Sequence, residues 1–220
     1  MLNQNYCIFN QYYTLPVSKT EKMKPIKNYI EVLKDAIFEI YPISNDCWSE
    51  IKSLAYLKEL NKGEYFSREG EKAKGLGLLL EGVCRIYYLD DNGNEWNKYF
   101  LQKNNFIASS ISPEKHSITN IQALNDTKII FLSLPKLLEL SKKHNDLLLF
   151  IQKLTFSYLE QKQEREINLL SETALNNYLT FKKDFPKLEN EIQHFHIASY
   201  LGITPTQLSR VRKKLSHQQM

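Results

Sequence analysis

Residues 197–215 of this 220-residue chain read IASYLGITPTQLSRVRKKL, and their pattern predicts the fold of the C-terminal part. Small and apolar residues from Ile197 to Leu201 predict a short helix with one apolar face. Gly202 follows, at a position where a left-handed backbone angle ends a helix at little cost. Thr204 then predicts the cap of a second helix that has proline at its first position. The stretch therefore predicts two helices joined by a tight glycine turn.

The second of these helices has an apolar side and a polar, basic side. Leu208, Val211 and Leu215 recur at the spacing of a buried helical stripe. A short helix, a glycine turn and a polar second helix match the geometry that places a helix in the DNA major groove. The alternative is a capped amphipathic hairpin whose basic face is only solvated. The candidate DNA-contacting residues are Thr204, Thr206, Gln207, Ser209, Arg210, Arg212, Lys213 and Lys214.

These polar residues differ in the contacts that we expect of them. Arginine commonly pairs with guanine, and glutamine pairs with adenine, so Thr206, Gln207 and Arg210 are expected to reach base edges. The others are expected to contact phosphates or to remain in solvent. From residue 194 onward the chain has four cationic residues and no acidic one, which equals the net charge of +4 of the whole chain. Such local basicity attracts a phosphate backbone.

Composition excludes several other classes of protein. No paired cysteine spacing supports a disulfide framework or a zinc or iron–sulfur site. His194 and His196 resemble a metal-binding pair only weakly, so no metal is expected. No apolar run approaches the length of a membrane span, and residues 1–20 lack a signal-peptide pattern, so a cytoplasmic protein without a membrane partner is expected. The three cysteines are far apart: Cys7, Cys47 and Cys84.

The N-terminal part of the chain predicts an arm followed by two helices. Residues 1–24 are rich in Asn, Gln and Tyr and show no clear period. Apolar residues from Ile26 to Ile40 follow helical spacing, and Pro42 ends that helix. Ser44 and Asp46 are candidate caps of a short second helix that runs to Leu54.

Short apolar runs separated by turns fill the middle of the chain, from residue 57 to residue 133. Six of the seven glycines lie there, and Asp91-Asn92-Gly93 is a hairpin signal between two of the runs. Regular short strands with glycine turns predict a β-barrel or a jelly roll. The candidate strands are Leu76–Leu80, Val83–Leu89, Asn97–Leu101, Thr119–Leu124 and Lys128–Leu132.

Helical spacing returns after this region. Pro135 predicts the start of a short helix to His144, and Asn145 is the expected cap of a long one. A further helix is expected from Ser171 to Lys183. The long helix suits a coiled contact between two chains, and the alternative is ordinary packing onto the barrel. The candidate dimerisation residues are Leu147, Ile151, Leu154 and Tyr158.

A barrel, a long helix and a C-terminal helix-turn-helix, in this order, resemble the Crp/Fnr family of bacterial transcription regulators. The resemblance covers Ile26–Leu215. It implies an α+β fold with a β jelly roll of the cyclic-nucleotide-binding type. The segments that carry it are Gly63–Ala73, Leu80–Val83, Asp90–Glu95, Leu101–Phe106, Ile121–Thr127 and the helix-turn-helix. The implied parts are a loose arm (1–24), the jelly roll with flanking helices (25–144), a dimerisation helix (145–170) and a helix-turn-helix domain (171–220) with a reduced or absent wing.

The nucleotide-binding cassette of that family is degenerate in this sequence. Cyclic-nucleotide binders hold the phosphate and ribose with Gly-Glu followed by Arg-Ser or Arg-Thr. Here Ala108 and Ser109 stand in place of Gly and Glu, and Ser117, or His116 after a slip of one residue, stands in place of Arg. A site built for a charged group loses recognition without the charged partner. We therefore expect no cyclic AMP or GMP and no cofactor, with Lys115 and His116 on a surface loop.

The resemblance implies a regulator that binds a roughly palindromic operator in double-stranded DNA as a homodimer. RNA polymerase is a further candidate partner, and the effector is an unidentified small molecule or absent. The alternative is a sensor of a small molecule or protein partner whose helix-turn-helix is vestigial, which the missing wing favours. A jelly-roll enzyme would need several metal-binding histidines on its strands, and His116 is the only barrel histidine, so no enzymatic activity is expected.

Overall fold

The computed structural model describes residues 29–110 and 114–218. The predicted arm at 1–24 and Cys7 lie outside the described residues. The helices are α1 (Ile30–Ile40), α2 (Asn45–Leu54), α3 (Leu134–Ser141), α4 (Asn145–Ser171), α5 (Ala174–Asp184), α6 (His194–Tyr200) and α7 (Pro205–Gln218). The strands are β1 (Tyr56–Leu60), β2 (Tyr65–Ser67), β3 (Gly75–Glu81), β4 (Cys84–Leu89), β5 (Glu95–Leu101), β6 (Phe106–Ala108), β7 (Asn120–Ala123) and β8 (Thr127–Ser133).

Two four-stranded antiparallel sheets form the jelly roll that the turn spacing predicts. One sheet has the order β1-β8-β3-β6 and the other β2-β7-β4-β5. Apolar side chains with no exposed surface, such as Leu79, Ile107 and Ile121, fill the space between the sheets. Together with the seven helices of the described residues, the sheets make an α+β fold, as expected.

The predicted hairpin joins β4 to β5. Gly93 adopts a φ of +80°, which the turn requires and which glycine tolerates. The Asp90 carboxylate accepts hydrogen bonds from the backbone of Asn92 and Asn94 and from the Trp96 indole. These donors, above all the Trp96 indole, hold the pKa of Asp90 well below its usual value. The turn is therefore fixed by its own side chains.

Helices α1 to α3 cover the outer side of the first sheet. Leu33 and Ile37 of α1 are almost fully buried there, at the predicted helical spacing. The Ser44 hydroxyl caps α2 by accepting from the Cys47 N–H, which confirms one of the two predicted caps. Within the described part of the chain, no helix combines the length and apolarity that crossing a bilayer requires.

The start and the orientation of α4 differ from expectation. His144, and not Asn145, is the residue before the helix, and neither side chain caps it. Leu147 has no exposed surface and packs with Phe150 in the core beneath the first sheet, where Ile151 and Leu154 join them. Three of the four predicted pairing residues therefore pack on the chain's own barrel, whereas the fourth, Tyr158, is exposed.

Candidate nucleic-acid interface

Helices α6 and α7 form the predicted helix-turn-helix. Gly202 adopts a φ of +67° directly after α6, and its N–H donates to the Ser199 carbonyl. The Ile203 N–H then reaches back to the Ala198 carbonyl over 3.0 Å. These bonds satisfy carbonyls at the helix end, so the chain turns within a few residues. The positive φ explains why glycine occupies this position.

A reciprocal pair of side chains caps α7. The Gln207 N–H donates to the Thr204 hydroxyl over 3.2 Å, and the Gln207 side-chain oxygen accepts from the Thr204 N–H over 2.8 Å. This is a capping box, which satisfies two otherwise free donors. Reading adenine with both ends of its amide would require Gln207 to give up this cap, because Oε1 is already in use. Gln207 therefore caps the helix in this structure, and it is a weaker candidate for a base contact than Thr206 or Arg210.

The outward side of α7 is exposed to solvent. Its inner side packs through Leu208, which is 1% exposed, while Val211 and Leu215 lie at the edge of the same core. Residues three and four apart share one side of a helix, so Thr206, Arg210 and Lys213 lie together. The exposed side chains on α7 include Thr206, Ser209, Arg210, Lys213 and Lys214.

Arg212 points elsewhere, although the sequence placed it among the DNA-contacting candidates. Its Nε lies 2.7 Å from a Glu189 carboxylate oxygen, and its Nη1 lies 3.2 Å from Nδ1 of His194. The Tyr178 hydroxyl also donates to Glu189. Arg212 thereby links α7 to Glu189, which lies between α5 and α6, and to His194 at the start of α6. It acts as a positioning residue, and no local sequence pattern marks Glu189 as its partner.

Helix α6 is held against strand β5 by hydrogen bonds between distant parts of the chain. The Asn97 N–H donates to the Ser199 hydroxyl, which donates to the Glu95 carbonyl, each over 2.9 Å. The Asn97 side chain donates to the His196 carbonyl over 3.1 Å. These bonds fix the first helix of the helix-turn-helix on the second sheet, so that α7 is presented on the far side.

Arg85, which is 4% exposed, is the charged centre of this contact. It bonds Glu95 over 2.5 Å, donates twice to the Gln122 side-chain oxygen and lies 3.1 Å from Nδ1 of His196. Arginine has only donors, so Nδ1 of His196 must accept and the ring must be neutral. Burial first, and then the Arg85 charge, lower the pKa of His196 to about 4, against an opposing effect of Glu95.

Aromatic side chains continue the contact between the barrel and the helix-turn-helix. Phe100 of β5 is fully buried, and its ring lies 5.3 to 6.2 Å from those of Phe181, Phe185 and Tyr200. On α4, Arg165 donates to the Tyr200 carbonyl and stacks 3.6 Å above the Tyr200 ring. The barrel and the helix-turn-helix therefore share one aromatic core, and α4 contacts it through Arg165. The sequence did not reveal this contact, because its partners lie about a hundred residues apart.

The degenerate cassette lies at β6 and the loop after it. Ala108 ends β6, and it and Ser109 are half-buried. Ser117 is 3% exposed, and its hydroxyl donates to the Thr119 carbonyl over 2.7 Å. Lys115 and His116 are exposed, as expected. The Ser117 hydroxyl is thus used in a hydrogen bond to the neighbouring backbone. Its side chain has no charge, whereas recognition of a nucleotide phosphate needs a positive one.

One cluster in the described residues has the residue types of a metal site. Ligand atoms of Cys47, His144 and Asp146 lie within 4.8 Å of one another. The Asp146 carboxylate already accepts from the N–H groups of Ser44 and Leu147. Burial, followed by the charge of Asp146, raises the pKa of the Cys47 thiol to about 12, so the thiol stays protonated. The cluster therefore joins α2 to α4 and is a poor metal-binding site at neutral pH. His194 and His196 bond different arginines and do not converge.

Comparison with known proteins identifies the barrel and the fold. Residues 57–144 match the family model described as the cyclic nucleotide-binding domain. FixK2 from Bradyrhizobium japonicum has a TM-score of 0.69 and 19% identity, over 74% of this chain and 85% of that one. The c-di-GMP responsive global regulator CLP from Xanthomonas campestris has a TM-score of 0.62 and 14% identity, over 80% and 93%. No curated protein sequence matches.

Proposed function

Because residues 57–144 form a cyclic nucleotide-binding domain within a chain that has the fold of the Crp/Fnr regulators, we propose that this protein is a sequence-specific, DNA-binding transcription regulator. The observation that carries the proposal is the outward face of α7. Thr206, Arg210 and Lys213 are exposed there together, while the inner face of α7 packs into the core that it shares with α5, α6 and the barrel. A rigidly held helix with polar and cationic side chains is what major-groove recognition requires.

We assign the base and phosphate contacts by position on α7. Arg210 lies one turn after Thr206 and no described salt bridge uses its guanidinium, so it is proposed to read a guanine. Lys213, Lys214, Ser209 and Thr204 are proposed to contact phosphates. Arg212 leaves the set because it is paired with Glu189.

We propose that the protein binds DNA as a homodimer, paired along the solvent-facing side of α4. Phe156 and Leu159 are 53% and 46% exposed, and Leu170 is 83% exposed. With Leu148 they form a stripe on the solvent-facing side of α4, interrupted by polar residues such as Gln163, and Leu170 at its far end reaches the junction with the barrel. Such a stripe suits a two-helix contact, in which polar positions set the register. This α4 stripe replaces the four residues that the sequence suggested.

The effector is proposed not to be cyclic AMP. Backbone amides alone do not replace the arginine and glutamate that recognise a cyclic phosphate and ribose. Here Ser117 stands in place of the arginine, and its hydroxyl donates to the Thr119 carbonyl. Lys115 is exposed to solvent.

Selection of bound duplexes from a random library, followed by titration at several salt concentrations, tests the function. The wild type should enrich a two-fold symmetric sequence. Arg210→Ala should cost about 1–3 kcal/mol and relax one base position in each half-site. Lys214→Ala should weaken all sequences alike and lower the salt slope by about one. Lys142→Ala, an exposed lysine between α3 and α4, is the control and should change neither.

Cyclic AMP should leave these binding curves unchanged. If no sequence is enriched and the Arg210→Ala variant binds DNA like the wild type, the helix-turn-helix is vestigial. The alternative of a sensor that does not read DNA would then stand in place of the proposal.

A further inference from the structure

A cavity of about 390 Å³ lies where the barrel, α4 and the helix-turn-helix meet. Its walls come from the β4–β5 hairpin, from the second half of α4 and from the turn around Tyr200. No residue of the degenerate cassette lines it. Small-molecule sites of this size are typical of contacts between structural units. The cavity is therefore separate from the position in which a cyclic nucleotide would be sought.

Aromatic side chains form much of the wall. Tyr88, Trp96 and Tyr158 are each 38% to 40% exposed, although all three line the same cavity. The Trp96 indole is fixed by its bond to Asp90, and Tyr99 closes the inner end with a long hydrogen bond to Gln161. Such rings offer flat apolar surfaces to a ring that enters between them.

The polar part of the wall is cationic. Lys98, Lys162 and Arg165 line the cavity together with a single acidic residue, Glu166. Arg165 is occupied by Tyr200. Within residues 29–110 and 114–218, neither Lys98 nor Lys162 forms a salt bridge. Burial, and then the charge of Lys162, lower the pKa of Lys98, so the two ammonium groups oppose each other. Lys98 is half-buried, whereas Lys162 is exposed at the mouth of the cavity. A half-buried lysine that forms no salt bridge is unusual and favours a bound anion beside it.

We propose that this cavity binds a small planar aromatic anion, whose ring lies against Trp96 and Tyr158 and whose negative group lies between Lys98 and Lys162. The ligand would contact all three units at once. It would therefore change the equilibrium between docked and undocked arrangements of α6, provided that it binds one of them more tightly. Regulation of DNA binding by such a ligand rests on the proposed function, whereas the binding itself does not.

Fluorine NMR of the full chain labelled with 5-fluorotryptophan tests the site. The chain has two tryptophans, Trp48 and Trp96, and Trp48 is buried in the core beneath the first sheet. The probes are 2-naphthoate and its neutral counterpart 2-naphthamide. We expect a saturable shift of the Trp96 signal with naphthoate and an unmoved Trp48 signal. Naphthamide should bind at least about tenfold more weakly, which corresponds to about 1.4 kcal/mol.

Lysine variants separate the charge effect from general hydrophobic binding. Lys98→Met and Lys162→Met should each weaken naphthoate binding about tenfold and leave naphthamide binding unchanged. Lys103→Met removes an exposed lysine after β5 that does not line the cavity, so naphthoate affinity should be retained. Equal binding of the two probes, the absence of a saturable shift at millimolar naphthoate, or equal shifts of both tryptophans would overturn the proposal.

Two further outcomes are distinguishable. If the Trp96 signal moves with protein concentration and not with naphthoate, a second copy of the chain fills the cavity and the proposed ligand site is wrong. If naphthoate binds but the library selection finds no DNA sequence, the ligand site stands and only the proposed function fails.

Discussion

At the scale of single residues, the sequence located some of the residues that build and position the helix-turn-helix and missed others. Gly202 and Thr204 were identifiable because a turn and a helix cap depend on a few neighbouring residues. Arg85 and His196 were not, because their meeting depends on how β4 and α6 are placed by the whole fold. The pairing of Arg212 with Glu189 was missed for the same reason.

The buried His196 makes stability depend on pH. In the unfolded chain its pKa is the ordinary 6.5, whereas in the folded chain the pKa is lowered to about 4, chiefly by burial and by Arg85. Between these values the unfolded chain binds more protons, so stability is full above the upper value and falls as pH drops toward the lower one. The slope from this residue should not exceed about 1.4 kcal/mol per pH unit.

The substitution His196→Gln should remove this part of the slope, because glutamine still accepts from Arg85 but does not titrate. Urea unfolding at several pH values across the window measures it. His116→Gln is the control, since His116 is an exposed histidine before β7, and its slope should match the wild type. An unchanged slope in the His196→Gln variant would show that another group carries the pH dependence.

At the scale of helices and strands, periodicity predicted the longer elements well. The strands β3, β4, β5, β7 and β8 lie where the apolar runs predicted them. β2 and β6 have three residues each, too few to show a period, and β1 follows α2 without a glycine turn. α4 has apolar residues on two sides, and spacing alone does not tell which side packs on the chain's own barrel. Only the packed core around Leu147 decides that.

Leu159→Asp tests the α4 stripe. A charge at an apolar contact between two chains is costly when unpaired, so dimer affinity should fall at least about tenfold. Because Leu159 is outside the core, the melting temperature of the monomer should change little. Light scattering over a range of concentrations measures the mass. Ser157→Asp places the same charge at an exposed position off the stripe and should leave the dimer intact; equal masses for both variants would place the pairing surface elsewhere.

At the scale of the whole molecule, the barrel and the helix-turn-helix are joined through a shared aromatic core and a polar contact around Arg85. The order of barrel, long helix and helix-turn-helix was predictable from composition and turn spacing. The docking of α6 on β5 was not, because it depends on contacts between residues about a hundred positions apart, such as Asn97 and Ser199. This docking leaves α7 facing outward, which is the arrangement the proposed function needs.

Sedimentation of the protein on its selected duplex tests the central claim, dimeric and sequence-specific DNA binding, most directly. The account predicts two chains per duplex at saturation, on half-sites about ten base pairs apart, because each chain supplies one recognition helix. A duplex in which the half-sites are moved apart by half a helical turn should lose the specific complex. One chain per duplex at saturation, or equal affinity for the shifted and the selected duplex, would contradict the account.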